Sequence, residues 1–196
     1  MLVVGAGISG IGAGHHLRKN CPDKRFVILE SRPSFGGTWD LFRYPGIRSD
    51  SDMYTFGYAF KAWTNPKSIA AGPAILDYLG ETIHENQLER KIRYGQTVTK
   101  AAWDSASAQW TVEIAHADGQ PTSTMRCNFL YMCTGYFSYR EAHRPDYPGE
   151  NTFCGPIIHP QFWPAALEYR GKRVVSIGSG ATVVTLLPSM VRAAAH

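Results

Sequence analysis

Apolar positions fall into several blocks along the 196 residues, and each block has its own period. Leu2, Val3 and Val4 form an unbroken apolar run, the pattern of a parallel strand buried on both faces. A helix is predicted over roughly residues 8–18, and Phe26 to Leu29 predict a second strand. From Pro73 to about Asn86 the apolar residues Ile75, Leu76, Leu79 and Ile83 follow the stripe of an amphipathic helix, with Pro73 suited to its first turn. From Lys91 to Met132 the period changes to two. "KIRYGQTVTKAAWD", "QWTVEIAHA" and "STMRCNFLYMCTG" read as three strands, with turns at Ser105–Ala108 and Asp118–Pro121. A last apolar run, Arg173 to Ile177, predicts another strand with a helix behind it. Pro188 is expected to kink or end that helix.

The opening strand and helix are joined by G-x-G-x-x-G, formed by Gly5, Gly7 and Gly10. Gly5 permits the tight turn, Gly7 lets a pyrophosphate approach the backbone, and Gly10 lets the helix pack closely on the strand. The helix N-terminus then faces the phosphates. Glu30 ends the second strand twenty residues after Gly10, where a carboxylate reaches a ribose. Strand, turn, helix, strand and acid in one register predict a dinucleotide site. Only four residues precede Gly5, short for a first strand and too few for a signal peptide. The expectation is a reading frame that has lost residues upstream or starts late.

Composition narrows the class without naming a ligand. The hydrophobic fraction is 44% and the charged fraction 18%, ordinary for a globular protein. The aromatic fraction of 12% leans toward a flat, stacked ligand, although aromatics also fill cores. Twenty basic and sixteen acidic residues give a net charge of +4 with no basic cluster, which argues against nucleic acid. No apolar run approaches the ~18 residues of a membrane helix. Cys21, Cys127, Cys133 and Cys154 form no C-x-x-C pair, so a reduced, cytoplasmic setting is expected. The seven histidines lack metal-ligand spacing and no G-x-S-x-G elbow occurs, so neither a metal site nor an acyl-transfer triad is expected.

The segment after Glu30 selects among dinucleotides. A nicotinamide dehydrogenase would continue with another βαβ crossover. Here Gly36-Gly37-Thr38-Trp39 leads into a long aromatic loop, which resembles the FAD-binding half of flavoproteins with two dinucleotide sites. Trp39 stands near where the disulfide reductases of that group carry a redox cysteine, so disulfide chemistry is not expected. "GGTWDLFRYPGIRSD" is similar to the flavin-containing monooxygenases and closest to their Baeyer–Villiger branch. Arg43, Tyr44, Pro45, Gly46, Arg48 and Asp50 fall on that branch's R-Y-P-G-x-R-x-D in register. The resemblance implies that Gly37, Thr38 and Trp39 border the flavin. It implies that Asp50 is the catalytic candidate, beside the flavin and paired with an arginine of an NADPH domain. From the residues alone, Asp50 fits a solvated loop acid beside Arg48 equally well. The same resemblance places Val98 at the adenine, through backbone groups, and makes "CTG" (Cys133, Thr134, Gly135) the exit from the FAD segment. Cys133 is read there as a small buried hydrophobe.

"GKRVVSIGSGATVVTLLPSM" repeats the opening design, with Gly178 and Gly180 in a second phosphate turn. Val183 takes the place of the third small residue and should hold helix and strand apart. This segment also fits a plain βα corner without a ligand. Between the two turns, "FCGPIIHPQFWP" matches the Baeyer–Villiger pattern F-x-G-x-x-x-H-x-x-x-W-P as Phe153, Gly155, His159, Trp163 and Pro164. His159 and Trp163 are expected to anchor a hinge rather than to react. By resemblance, the chain corresponds to about the first two-fifths of a family member, and a complete second domain would need over a hundred further residues.

The expected fold is α/β: a Rossmann-like FAD-binding domain of two-dinucleotide flavoprotein type with an inserted β-meander. The first βα unit of a second dinucleotide-binding domain follows. The expected boundaries are 1–150 for the FAD segment, 151–168 for the connection and 169–196 for the start of the NAD(P)H segment. The resemblance implies an FAD- and NADPH-dependent monooxygenase, with NADH not excluded. It would transfer one oxygen atom of O2 through a peroxyflavin to a small organic ketone or a soft nitrogen or sulfur. A reductase or oxidase with two dinucleotide sites, or a non-catalytic FAD-binding fragment, fits the same residues.

Overall fold

The computed structural model describes residues 1–195, and they divide into two compact units. The first comprises residues 1–40 and 76–136; the second comprises residues 41–75 and 137 onward.

In the first unit, β1 (Leu2–Val4) lies between β2 (Val27–Leu29) and β7 (Leu130–Met132), and β3 (Ile92–Arg93) pairs beyond β2. All three pairings are parallel, so the sheet order is β3-β2-β1-β7. The β1 side chains are all buried, as an apolar run without alternation requires. Helix α1 (Ile8–Asn20) crosses from β1 to β2, with Arg18 and Lys19 in its last turn, where positive charge favours the helix dipole. Most of helix α4 (Gly72–Glu85) also belongs to this unit. It buries Leu79 and Ile83, and each such side chain contributes about 1.5–3 kcal/mol of apolar burial.

The region read as three strands is a three-stranded antiparallel meander plus two strands of the parallel sheet. The meander is β4 (Gln96–Asp104), β5 (Gln109–His116) and β6 (Ser123–Cys127). The first predicted strand breaks at Gly95, in the left-handed region at φ +65°: Ile92–Arg93 pair with β2, and Gln96 begins the meander. The third breaks at Asn128–Phe129, and Leu130–Met132 joins β1. Val112, Ile114 and Cys127 of the meander pack with Leu2 and Leu29 of the sheet into one apolar cluster.

The second unit contains helices α2 (Thr38–Leu41, its end only), α3 (Met53–Phe56) and α5 (Ala181–Met190), with single 3₁₀ turns at Glu150–Thr152 and Pro160–Phe162. Arg173–Ile177, expected as a strand, forms none. It is exposed along its length, with Val175 at 87%, because the described residues of this unit provide no ladder for it to join. Pro188 does not end α5, which continues to Met190. The amide it lacks would have bonded the Val184 carbonyl, and Val184 is exposed, so water can satisfy that oxygen.

Candidate functional site

The first glycine turn is built on contacts that leave no room for side chains at two of its three glycines. A Cβ at Gly10 would lie 1.8 Å from the Gly5 carbonyl oxygen, and one at Gly5 (φ +105°) would lie 2.4 Å from the Cys133 carbonyl oxygen. These two glycines therefore fix how α1 leaves β1. Gly7 differs: a Cβ there would meet only Gly37, at 3.7 Å. The Gly36 amide donates to the Ala6 carbonyl at 3.0 Å, so the two glycine segments run side by side as bare backbone. Gly7 caps α1 with no side-chain hydrogen bond, and the first turn carries no acid. The N-terminus of a helix carries a partial positive charge that favours an anion, and here no acidic side chain of the first turn competes for it.

Glu30 is buried, with 4% exposure, at the end of β2. One carboxylate oxygen accepts the Ala6 amide at 2.7 Å; the other accepts the Arg32 amide at 2.9 Å and faces the Ser31 hydroxyl at 3.3 Å. The acid thus braces the glycine turn. A carboxylate has about four acceptor positions, so capacity remains for a ribose hydroxyl. Downstream, Asp40 accepts from both the Arg32 guanidinium and the Ser34 hydroxyl. This half-buried network closes the loop that carries Gly37, Thr38 and Trp39, and nothing in the residue spacing announced it. Val98 is half-buried against the Leu2–Leu29 cluster, beside a bulge at which the β4–β5 ladder skips from Val98 to Lys100. Cys133 donates its amide to the Val4 carbonyl, and burial pushes its thiol pKa up, which suits a packing role over a redox one.

Asp50, Phe153, Gly155, His159, Trp163, Gly178 and Gly180 all lie in the second unit. Asp50 is exposed in a bend. Its neighbours are fixed: the Ser49 amide donates to the Ala70 carbonyl at 2.8 Å and the Ser49 hydroxyl to the Ser51 carbonyl at 2.6 Å. The second glycine turn is also without a side-chain cap or a first-turn acid. A Cβ at Gly180 would meet nothing within 4 Å, and one at Gly178 would touch Val183 at an ordinary 3.6 Å. The second turn is thus more open than the first, and because Arg173–Ile177 forms no strand, the expected separation of helix and strand by Val183 has no counterpart here.

In the connecting segment, the Phe153 ring lies over Gly155, where a Cβ would come within 2.7 Å of it. His159 Nδ1 accepts the Gln161 amide at 3.2 Å. Burial, and then the nearby Arg144 charge, lower the His159 pKa below the ordinary histidine value. Trp163 packs edge-on against Tyr169 with ring centres 6.1 Å apart. Gln161, which carried no sequence signal, is buried and donates to the Ser138 carbonyl at 2.5 Å. Among the described residues, no group of three or more His, Cys, Asp or Glu is placed to hold a metal ion, and no helix is long and apolar enough to cross a membrane.

A parallel sheet with a glycine turn, an open helix N-terminus and a buried acid after the second strand defines a dinucleotide-binding protein of Rossmann-like type. Residues 3–81 match the NAD(P)-binding Rossmann-like domain family, and residues 60–196 match the family described as flavin-binding monooxygenase-like. The chain belongs to the flavin-binding monooxygenase-like family. Among its relatives, "Probable FAD-binding monooxygenase AlmA" of an Acinetobacter species is 54% identical over 195 residues, which are 100% of this chain and 39% of that protein. An oxidized steroid monooxygenase bound to NADP superimposes with a TM-score of 0.82 at 32% identity, over 98% of this chain and 36% of that one. A cyclohexanone-bound cyclohexanone monooxygenase gives a TM-score of 0.82 at 28% identity, over 100% and 37%. The chain thus spans about two-fifths of the length of such proteins.

Proposed function

We propose that this chain is the dinucleotide-binding part of an FAD- and NADPH-dependent monooxygenase of Baeyer–Villiger type. The observation that carries the reading is the bare backbone at Gly7 and Gly37, at the start of a helix whose first turn holds no acid. The residues present fit FAD. Amides at the start of α1 would donate to the pyrophosphate, and Glu30 would accept from a ribose hydroxyl while still bracing Ala6. Gly5 and Gly10 hold the turn in shape. Gly37, Thr38, Trp39 and Asp50 would border the flavin, and the Val98 backbone would meet the adenine. Gly178 and Gly180 would receive NADPH, and NADH fits the same turn. Bound flavin would supply hydride acceptance from NADPH and activation of O2. The protein's part is to bind, orient and exclude water.

Functional segments are assigned as 1–150 for FAD, 151–168 for the connection and 169–196 for the nicotinamide cofactor. Within the connection, His159 and Trp163 anchor a hinge. The substrate class is a small organic ketone, by likeness to the cyclohexanone-bound relative, or a soft nitrogen or sulfur compound. A reducing, cytoplasmic setting is proposed from the cysteine spacing, which offers no C-x-x-C pair. The test is a chimera in which this chain replaces the matching segment of a cyclohexanone monooxygenase, loaded with FAD and supplied with NADPH, cyclohexanone and isotope-labelled dioxygen. Labelled lactone supports the monooxygenase reading. NADPH consumption with hydrogen peroxide and no labelled product would identify a reductase or oxidase instead.

A further inference from the structure

The R-Y-P-G segment that precedes Asp50 is seated on the helix that follows the second glycine turn. Both belong to the second unit. Gly46 has a φ of +80°, and a Cβ there would lie 2.2 Å from Ser189 Oγ and 2.4 Å from the Thr185 carbonyl oxygen. The loop backbone therefore rests directly on α5. Two residues earlier, Tyr44 is only 6% exposed, and its hydroxyl lies 3.4 Å from that of Thr185, which also donates to the Thr182 carbonyl at 3.0 Å. Thr185 and Ser189 are four residues apart and so share one helix face. Around this contact, Tyr44, Leu186 and Met190 form an apolar cluster, with Phe42, Ile47, Trp163 and Tyr169 packed on it. On its other side the segment is held by the Ser49 amide on Ala70 and by the Gly72 amide on the Ile47 carbonyl. Asp50 stands just beyond these two fastenings.

We infer that Tyr44 and Gly46, seated on Thr185 and Ser189, are positioning residues for Asp50, so that α5 sets where the Asp50 loop lies. The inference deepens the proposed function and rests on its assignment of Asp50 to the flavin. It gives two motif residues a physical task. Gly46 is needed because the helix leaves no space for a side chain, and Tyr44 is needed because its ring and hydroxyl both find partners on α5. Trp163 of the connecting segment joins the same cluster, so the hinge, the loop and the helix share one seat.

The experiment is hydrogen exchange on the purified chain and on Ser189→Leu, Ser189→Ala and Tyr44→Phe. Trypsin cleavage after the exposed Arg48 gives a second readout. Leucine at 189 should lift the loop from α5 and raise exchange over residues 43–52 by about tenfold, while Leu2–Val4 and Val27–Leu29 keep their protection. Tyr44→Phe should produce a smaller rise in the same residues, and Ser189→Ala should leave the loop as protected as the parent. If neither Ser189→Leu nor Tyr44→Phe raises exchange in 43–52 above the change elsewhere in the chain, the inference fails. The flavin spectrum of the FAD-loaded chain then separates it from the reading beneath. Ser189→Leu should reproduce the spectral change made by Asp50→Asn, with FAD affinity unchanged. An Asp50→Asn spectrum identical to the parent would overturn the assignment of Asp50 to the flavin, and the inference that rests on it. Loss of exchange protection alone would still establish the seat.

Discussion

The amide of Ala6 donates to the buried carboxylate of Glu30 at 2.7 Å, tying the first glycine turn to the end of the second strand. Glu30 therefore has two tasks, and substitution separates them. Glu30→Ala leaves the Ala6 and Arg32 amides without their acceptor. It should lower stability by about 1.5–3 kcal/mol, the usual value of hydrogen bonds to a charged group. Glu30→Gln keeps an acceptor and should cost less, yet still weaken FAD binding. Urea denaturation together with FAD titration of both variants checks this.

The glycines of the first turn divide in the same way. At Gly10 a methyl group would collide with the Gly5 carbonyl, so Gly10→Ala should destabilise the chain by about 3 kcal/mol or more. At Gly7 the methyl group finds ordinary contact with Gly37, so Gly7→Ala should cost only about 1 kcal/mol, for the poorer helix cap. That variant should nevertheless lose most of its FAD affinity. Thermal melts of the flavin-free proteins, compared with flavin titrations, distinguish packing from binding.

Stability should fall on mild acidification because of His159. Its folded-state pKa lies below the ordinary histidine value of about 6.5, through burial and then the Arg144 charge. In the window between the two values the unfolded chain takes up a proton that the folded chain refuses. The contribution is thus fully present above the ordinary value and is lost as pH falls toward the folded one. Thermal midpoints measured across this window should decline with pH, and His159→Gln should flatten the decline.

Thiol labelling should follow exposure. Cys154 is exposed, whereas burial raises the pKa of both Cys127 and Cys133. Iodoacetamide near neutral pH should modify Cys154 well before the other two, and peptide mass analysis reads the order.

Local pattern was enough for the elements whose own residues decide them. Leu2–Val4, the three glycines and Glu30 determine strand, turn, helix and acid within thirty residues, and Ile75, Leu79 and Ile83 mark one helix face. Long-range partners were harder to read. Period-two alternation runs straight through Gly95 and Asn128, so the pattern could not show that the chain changes sheets there. The left-handed backbone at Gly95 was the available signal for the first change. Arg173–Ile177 has strand composition, but composition cannot provide a neighbouring ladder. The Arg32–Asp40–Ser34 network, Gln161 on Ser138 and the seat of Gly46 on α5 all depend on side chains meeting across the fold. No spacing rule reports such meetings. Among the candidate site residues, those placed by the first glycine turn were legible, whereas Asp50 was singled out only by resemblance.

FAD binding at the first glycine turn is tested by an equilibrium titration of the purified chain with FAD, followed by flavin fluorescence, beside Gly7→Val. Saturable binding of one FAD per chain is expected, with its loss in Gly7→Val while circular dichroism shows the fold intact. A well-folded parent chain that holds no flavin, or a Gly7→Val variant that binds it equally well, would overturn the assignment of FAD to this turn.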